Sequence, residues 1–280
     1  MTPELVRQVE RYTGRKVAGA RAMARGTSAA VWQVDLTNGG KVVAKIGPAV
    51  AVEGWMLRLL AAQTRMPVPH VIHDGDDLLL MDYVPAGDPL DDTAQRHAAQ
   101  ILADLHRHTW HSFGFDRDTV IGGLTQSNVP AVRWLDFFRD QRLLAMARKA
   151  LDCGHLPMVM MDGIERLAAR LGNWITEPER PALVHGDCWG GNILVKGGRV
   201  AAFIDPALYY GHGEMDLAFS TMFGTFGDDF FAVYGELNPI EPGFFEERRD
   251  LYLLYPLLVH VRLFGGPYVG GVERVLDRFL

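Results

Sequence analysis

The chain has 280 residues and a formal net charge of −6, from 28 Lys and Arg against 34 Asp and Glu. That length can bury a substantial core, enough for two compact lobes. The acidic balance, with no long basic run, excludes a protein held to nucleic acid by phosphate neutralisation and points to small-molecule chemistry. Cys153 and Cys188 are too few for a disulfide framework and lie far apart, so both are expected as buried thiols in a reducing compartment. The opening MTPELVRQVERYTGRK carries charges throughout and has no apolar signal core. No apolar run approaches the roughly 18 residues of a membrane span. The expectation is a cytoplasmic protein that uses neither membrane nor nucleic acid, with no signal for its oligomeric state.

Leu5, Val6 and Val9 predict a short amphipathic helix over Pro3–Tyr12, ended by Gly14. Alternation in VWQVDL, the turn Asn38-Gly39-Gly40 and then KVVAKI predict a β-hairpin with a glycine-containing lead-in. AVEGWMLRLLAAQ has helical periodicity, with Val52, Trp55, Met56, Leu59 and Leu60 as its stripe. After Pro67 and Pro69, VIHDGDDLLLMDYV reads as two strands around an Asp74–Asp77 turn. Beyond Pro85, Gly87 and Pro89 the patterns become long and helical: AQRHAAQILADLHRHT, VPAVRWLDFFRDQRLLAMARKAL and GIERLAARLGNWI. A second hairpin, Ile193–Val195 and Val200–Ile204, interrupts this region around Lys196-Gly197-Gly198. RRDLYLLYPLLVHVRLFG, charged mainly at its ends, predicts a core helix.

LVHGDCWGGNILV places Asp187 in a tight loop that Asn192 closes, and Asp205 ends the following hairpin in FIDP. Taken singly, Asp187 and Asn192 are ordinary loop residues and Asp205 an ordinary strand end before proline. In this order, around one hairpin, they are the set that phosphoryl transfer from a nucleotide requires in a protein-kinase-like architecture. One carboxylate takes the acceptor's proton, while an amide and a second carboxylate offer hard oxygens to magnesium (Mg2+). Lys45, a cation on a strand otherwise apolar, fits a partner of the ATP phosphates, with Glu53 on the next helix as its anchor. An edge lysine and a surface glutamate are the plain alternative. Gly26, Thr27 and Ser28 offer a turn with backbone amides for the phosphates. Met81, Asp82, Tyr83 and Val84 are placed between the lobes as the hinge whose backbone meets adenine. His185 is expected to brace the loop by hydrogen bonding.

LADLHRHTWHSFGFD, IGGLTQSN followed by WLDFFRDQRL, HGDCWGGN, IDPALYYGHGEMDLAFSTMFG and YLLYPLLVHVRLFGGPY together resemble the fructosamine kinase (ketosamine kinase) family. That family sits in the aminoglycoside phosphotransferase branch of the protein-kinase-like superfamily. The resemblance runs from about Gly26 to the C-terminus. It implies an α+β, bilobal protein-kinase-like fold, with a small β-rich N-lobe (residues 1–84) binding nucleotide phosphates. A larger, mostly helical C-lobe (residues 85–280) would hold the catalytic loop, metal and acceptor. The implied reaction moves the γ-phosphate of ATP to a sugar hydroxyl of a ketosamine, a small-molecule or protein-attached glycated amine, and leads to deglycation. By the same resemblance Asp187 is the base, Asn192 and Asp205 bind magnesium, and Lys45 with Glu53 positions phosphates. Asp216 would brace the catalytic loop by accepting its backbone hydrogens, Trp189 would wall the sugar pocket, and His212 would support substrate or loop. The sequence departs from the family at Gly213, where relatives carry arginine in a GHRE block. Three alternatives stand beside this reading: a kinase for another hydroxylated amine, a nucleotide-binding pseudokinase, and a metal-dependent hydrolase using His185, Asp187 and His212.

Overall fold

The computed structural model describes residues 1–23 and 29–280. Gly26, Thr27 and Ser28, the expected phosphate turn, lie outside the described residues. Helix α1 (Pro3–Thr13) is capped by the Thr2 hydroxyl at its start and by left-handed Gly14 at its end. Strands β1 (Val17–Ala22), β2 (Ala30–Leu36) and β3 (Lys41–Ile46) follow, then helix α2 (Val50–Gln63) and strands β4 (Val71–Asp74) and β5 (Leu78–Asp82). They form one antiparallel sheet in the order β1-β2-β3-β5-β4.

Period-two alternation assigns the two faces of this sheet. Leu78 and Leu80 join Val34, Val42 and Ala44 against Leu5 and Val9 of α1. Leu79 and Met81 turn the other way and pack with Val50 and Leu57 of α2. The sheet therefore carries α2, and with it Glu53, on the face opposite α1. Strand β1 was not foreseen, because VAGARA has no apolar face for alternation to reveal.

The remainder is mostly helical: α3 (Asp92–Leu105), α4 (Trp134–Phe137), α5 (Ala145–Asp152), α6 (Met158–Ala168), α7 (Glu214–Met222), α8 (Asp228–Leu237), α9 (Arg249–Phe264) and α10 (Val269–Phe279). Three two-stranded antiparallel pairs are set among them. These are β6 (Thr119–Ile121) with β7 (Leu124–Gln126), β8 (Ala182–Val184) with β11 (Tyr209–Gly211), and β9 (Ile193–Lys196) with β10 (Arg199–Phe203).

The helix expected across residues 129–151 is divided. It begins only at Trp134, since Ala131 pairs with Phe113 in a bridge, and it widens into a π-turn over Phe138–Leu144. That turn carries Arg142, fully buried, which donates to Ser127 O and Asn128 Oδ1, both at 2.6 Å, and lies 3.9 Å from the Tyr209 ring. Cys188 is buried as expected, whereas Cys153 is exposed just past the end of α5, where the chain turns at Gly154. Among the described residues no helix is long and apolar enough to cross a membrane.

Candidate active site

Strand β8 delivers the chain into the loop His185–Asn192. Gly186 takes a φ of +82°, and a Cβ there would meet Ala207 O at 2.2 Å, so the loop lies against residue 207 only because this position is glycine. The Asp216 carboxylate, in the first turn of α7, accepts the His185 N–H at 2.7 Å and the Gly186 N–H at 2.8 Å. It also accepts from His106 Nε2 at 3.0 Å, and His106 Nδ1 meets the Tyr234 hydroxyl at 2.7 Å. A carboxylate can only accept, so the Nε2 of His106 carries a hydrogen. Burial opposes ionisation of Asp216, yet the bonds and charges of His106 and His185 and the Gly186 N–H hold its carboxyl below the usual range. The loop is thus pinned at two backbone donors by a buried carboxylate.

Asp187 and Asn192 meet at the open side of the loop. Asn192 Nδ2 donates to Asp187 O and to Asp187 Oδ2, both at 2.9 Å. Both partners are acceptors, which settles the orientation of the amide and leaves Asn192 Oδ1 with no bond among the described residues. Burial pushes the Asp187 carboxyl up to about 7; the Asn192 bond opposes this, and the charges of Asp205 and Asp216 add to it. Asp205 follows β10 in a left-handed conformation, φ 54°, unusual for a residue with a Cβ.

Lys45 on β3 reaches Glu53 on the neighbouring α2 and Asp205 across the cleft. Its ammonium donates to Glu53 Oε1 at 2.7 Å and is ion-paired with Asp205 Oδ1. Burial by itself would lower its pKa; the facing charges of Glu53 and Asp205 outweigh that and keep it above the ordinary lysine value. Glu53 is within reach because α2 starts at Val50, directly after Ala49 turns left-handed at φ 70°.

Lys45, Glu53, Asp187, Asn192 and Asp205 line one cavity of about 530 Å³. Trp189 lines it too, its ring 5.4 Å from that of Phe223. The donor set suits magnesium: one carboxylate, Asp205, and one unengaged amide oxygen, Asn192 Oδ1, are the hard oxygens that such an ion takes alongside nucleotide phosphates. No group of three or more His, Cys, Asp or Glu is placed to hold a metal among the described residues, which leaves the hydrolase reading without a ligand set.

Several expected residues lie elsewhere. Met81 and Asp82 belong to β5, and none of Met81, Asp82, Tyr83 and Val84 lines the cavity. The Asp82 and Tyr83 N–H groups are spent on His70 O and Lys41 O, so within the expected hinge only Val84 keeps a backbone donor without a partner among the described residues. His185 is buried, away from the cavity; its Nδ1 accepts the Asp187 N–H at 3.4 Å, and burial lowers its pKa. His212 also lies off the cavity, with Nδ1 2.8 Å from the Tyr252 hydroxyl.

His106 was missed by sequence reasoning, although a signal existed. It continues the buried stripe Ala94, Ala98, Leu102 at four-residue steps, so an imidazole occupies a core position of its helix. Gly213 lies against the same residue. Its φ is −55°, which any residue adopts, but a Cβ there would lie 2.9 Å from His106 Nδ1.

The family model of fructosamine kinase matches residues 4–280. The chain belongs to the fructosamine kinase family. It is 34% identical over 247 residues to the chloroplastic protein-ribulosamine 3-kinase of Arabidopsis thaliana, covering 84% of this chain and 73% of that protein. A probable ketoamine kinase of Synechocystis is 38% identical over 231 residues, covering 79% of this chain and 75% of its own. Among solved structures, a candidate fructosamine-3-kinase from Thermobifida fusca superposes with a TM-score of 0.87 at 32% identity, over 99% of this chain and all of that one. An ADP-bound aminoglycoside phosphotransferase, at 17% identity and TM-score 0.67 over 99% and 97% of the two chains, shares the protein-kinase-like fold.

Proposed function

We propose that this protein is an ATP-dependent kinase that phosphorylates a sugar hydroxyl of a ketosamine and so opens a route to deglycation. The observation that carries the proposal is the meeting of Lys45, Asp187, Asn192 and Asp205 around one cavity in a fructosamine kinase family member. The acceptor oxygen attacks the γ-phosphorus, the bond to the ADP oxygen breaks, and Asp187 takes the acceptor's proton. A carboxyl lifted to about 7 by burial is well matched to that task near neutral pH. Asn192 Oδ1 and Asp205 would hold magnesium, which when bound neutralises charge on the phosphates. Lys45, oriented by Glu53, would meet the α- and β-phosphates, and Gly26, Thr27 and Ser28 would supply backbone amides to them. The Val84 N–H is the donor left for adenine. Trp189 would face the sugar, while Asp216 and His185 hold the loop in shape. Residues 1–84 thus act as the nucleotide lobe and 85–280 as the catalytic and acceptor lobe.

The test is an ATP-consumption panel with ribulosamine and fructosamine adducts, aminoglycosides and choline as acceptors. Turnover of the ketosamines alone is the expected result. Turnover of an antibiotic or choline with none of the ketosamines would assign the enzyme to another hydroxylated amine.

A further inference from the structure

Beyond the active cavity, a second one of about 510 Å³ opens between the β6–β7 turn, the end of α5 and the end of α9, lined by Leu124, Thr125, Lys149, Asp152, Cys153 and Arg262. Gly123, in the β6–β7 turn, lines both cavities, so the two meet at that turn. Lys149 and Arg262 are half-buried, and each stands in the last turn of its helix. The helix dipole favours a cation there, which would account for both residues if each capped its own helix. Lys149 instead leaves α5, and its Nζ donates to Thr125 O on β7 at 2.6 Å. Arg262 offers its backbone carbonyl to His155 Nδ1 at 3.2 Å, while its guanidinium has no hydrogen bond or ion pair among the described residues.

The cavity thus holds two cations against one carboxylate. Asp152 is exposed and forms an ion pair with neither of them among the described residues. Burial lowers the pKa of Lys149; Asp118 opposes this, while the charges of Arg262 and Arg142 act with it. Asp118 is also engaged elsewhere, its Oδ1 accepting the Asn128 N–H at 3.1 Å. Two like charges that line one cavity without a shared partner form an arrangement that a bound oxyanion relieves. A guanidinium fork meets two oxygens at once and an ammonium adds a third contact, a geometry that suits a phosphoryl group. A carboxylate ligand would answer only one of the two charges. The volume exceeds what a bare phosphate ion fills and falls in the range of small-molecule sites.

We propose that this second cavity is a binding site for a phosphomonoester: Arg262 and Lys149 take the phosphoryl oxygens, and the wall of Leu124, Thr125 and Cys153 takes the body of the ester. Asp152 holds the affinity below what the two cations alone would give, since its charge opposes that of the ligand.

Calorimetric titration of the full chain with ribose 5-phosphate is expected to show saturable binding, weaker for inorganic phosphate and absent for ribose. Arg262→Gln and Lys149→Gln, each checked for a wild-type thermal midpoint, are expected to weaken it by about tenfold, the scale of one charge-assisted hydrogen bond. Asp152→Asn removes the opposing charge and is expected to tighten it, which a merely structural role for these side chains would not produce. Lys45→Met alters the active cavity alone and should leave the affinity unchanged. Cys153 is exposed and Cys188 buried, so iodoacetamide reads the site directly: saturating ribose 5-phosphate should slow alkylation of Cys153. Absence of saturable binding, unchanged affinity in the Arg262 and Lys149 variants, weaker binding in Asp152→Asn, or no protection of Cys153 would each overturn the site. Loss of binding in Lys45→Met would assign it instead to the phosphoryl end of the active cavity. Equal affinity for inorganic phosphate would overturn the phosphomonoester. None of these readouts uses turnover, so each stands whichever acceptor the enzyme phosphorylates.

Discussion

Lys45 and Asp205, 160 residues apart in the chain, share one ion pair across the cleft between the sheet and the helical region. Glu53 completes the arrangement from the side of α2, so a single ammonium is held between a carboxylate from each half of the molecule. Lys45→Met removes the only lysine or arginine lining this cavity among the described residues and leaves the three carboxylates of Glu53, Asp187 and Asp205 without it. Loss of one preorganised charge at a phosphoryl site is worth about 10²- to 10³-fold. We expect kcat/KM for ATP to fall by that factor in steady-state kinetics; an unchanged value would remove Lys45 from phosphate handling.

Asp187→Asn keeps the shape of the loop and an oxygen for the Asn192 amide while abolishing proton acceptance. Turnover is expected to fall by roughly 10²- to 10⁴-fold. Nucleotide affinity, measured by calorimetry with ADP, should change little. Wild-type turnover in this variant would refute the assignment of Asp187 as base.

Asp216→Ala leaves the His185 and Gly186 N–H groups and His106 Nε2 without their acceptor. Orphaned buried donors cost roughly 1–3 kcal/mol each. A lowered denaturant midpoint together with a fall in kcat is expected, with the KM for ATP less affected because Asp216 does not line the cavity. A stable variant with normal kcat would show that the loop holds its form without this carboxylate.

Gly213→Ala tests the same brace from behind. The added methyl would crowd the His106 ring at 2.9 Å from Nδ1, and the neighbouring Tyr234 contact leaves the ring little room to yield. Overpacking of this kind costs about 1–3 kcal/mol. Thermal unfolding should report it, and an unshifted midpoint would mean that His106 is free to move.

His212 makes stability depend on pH. Burial lowers its pKa to about 4; Glu214 opposes this, while the charges of Arg248 and His106 act with it. In the unfolded chain it titrates near 6.5. Between those values the unfolded state binds a proton that the folded state refuses, so stability is full above about 6.5 and declines as pH falls toward 4. The shift corresponds to at most about 3 kcal/mol. In His212→Asn the loss of stability between about pH 7 and pH 5, followed by urea denaturation, should be smaller than in the wild type. An equal loss would place the acid sensitivity in other groups.

Periodicity and turn residues made most of the elements legible because a helix, or a strand of about four residues or more, shows its apolar face or its bounding turn within the chain itself. The two strands around Asp74–Asp77, the extent of α2 and the hairpin after Asn192 were all readable this way, although the buried face of α2 includes Val50 and Leu57 and leaves Val52, Trp55 and Leu59 only partly buried. The three-residue strands at Thr119, Leu124, Ala182 and Tyr209 were not, since so short a run has no period. The pairing of Asp187 with Asn192 is also a local matter, spanning five residues and one loop.

What the sequence determined by itself is the set of candidate reacting groups and their order, because residue type and short spacing are properties of the chain. Tertiary structure alone decided their partners. That Lys45 meets Asp205, that His106 stands behind Asp216, that His212 faces Tyr252 rather than the cavity, and that Lys149 and Arg262 line a second one all depend on contacts between segments far apart in the chain. Such contacts follow from how the elements pack, and packing leaves no periodic trace in either partner's local sequence.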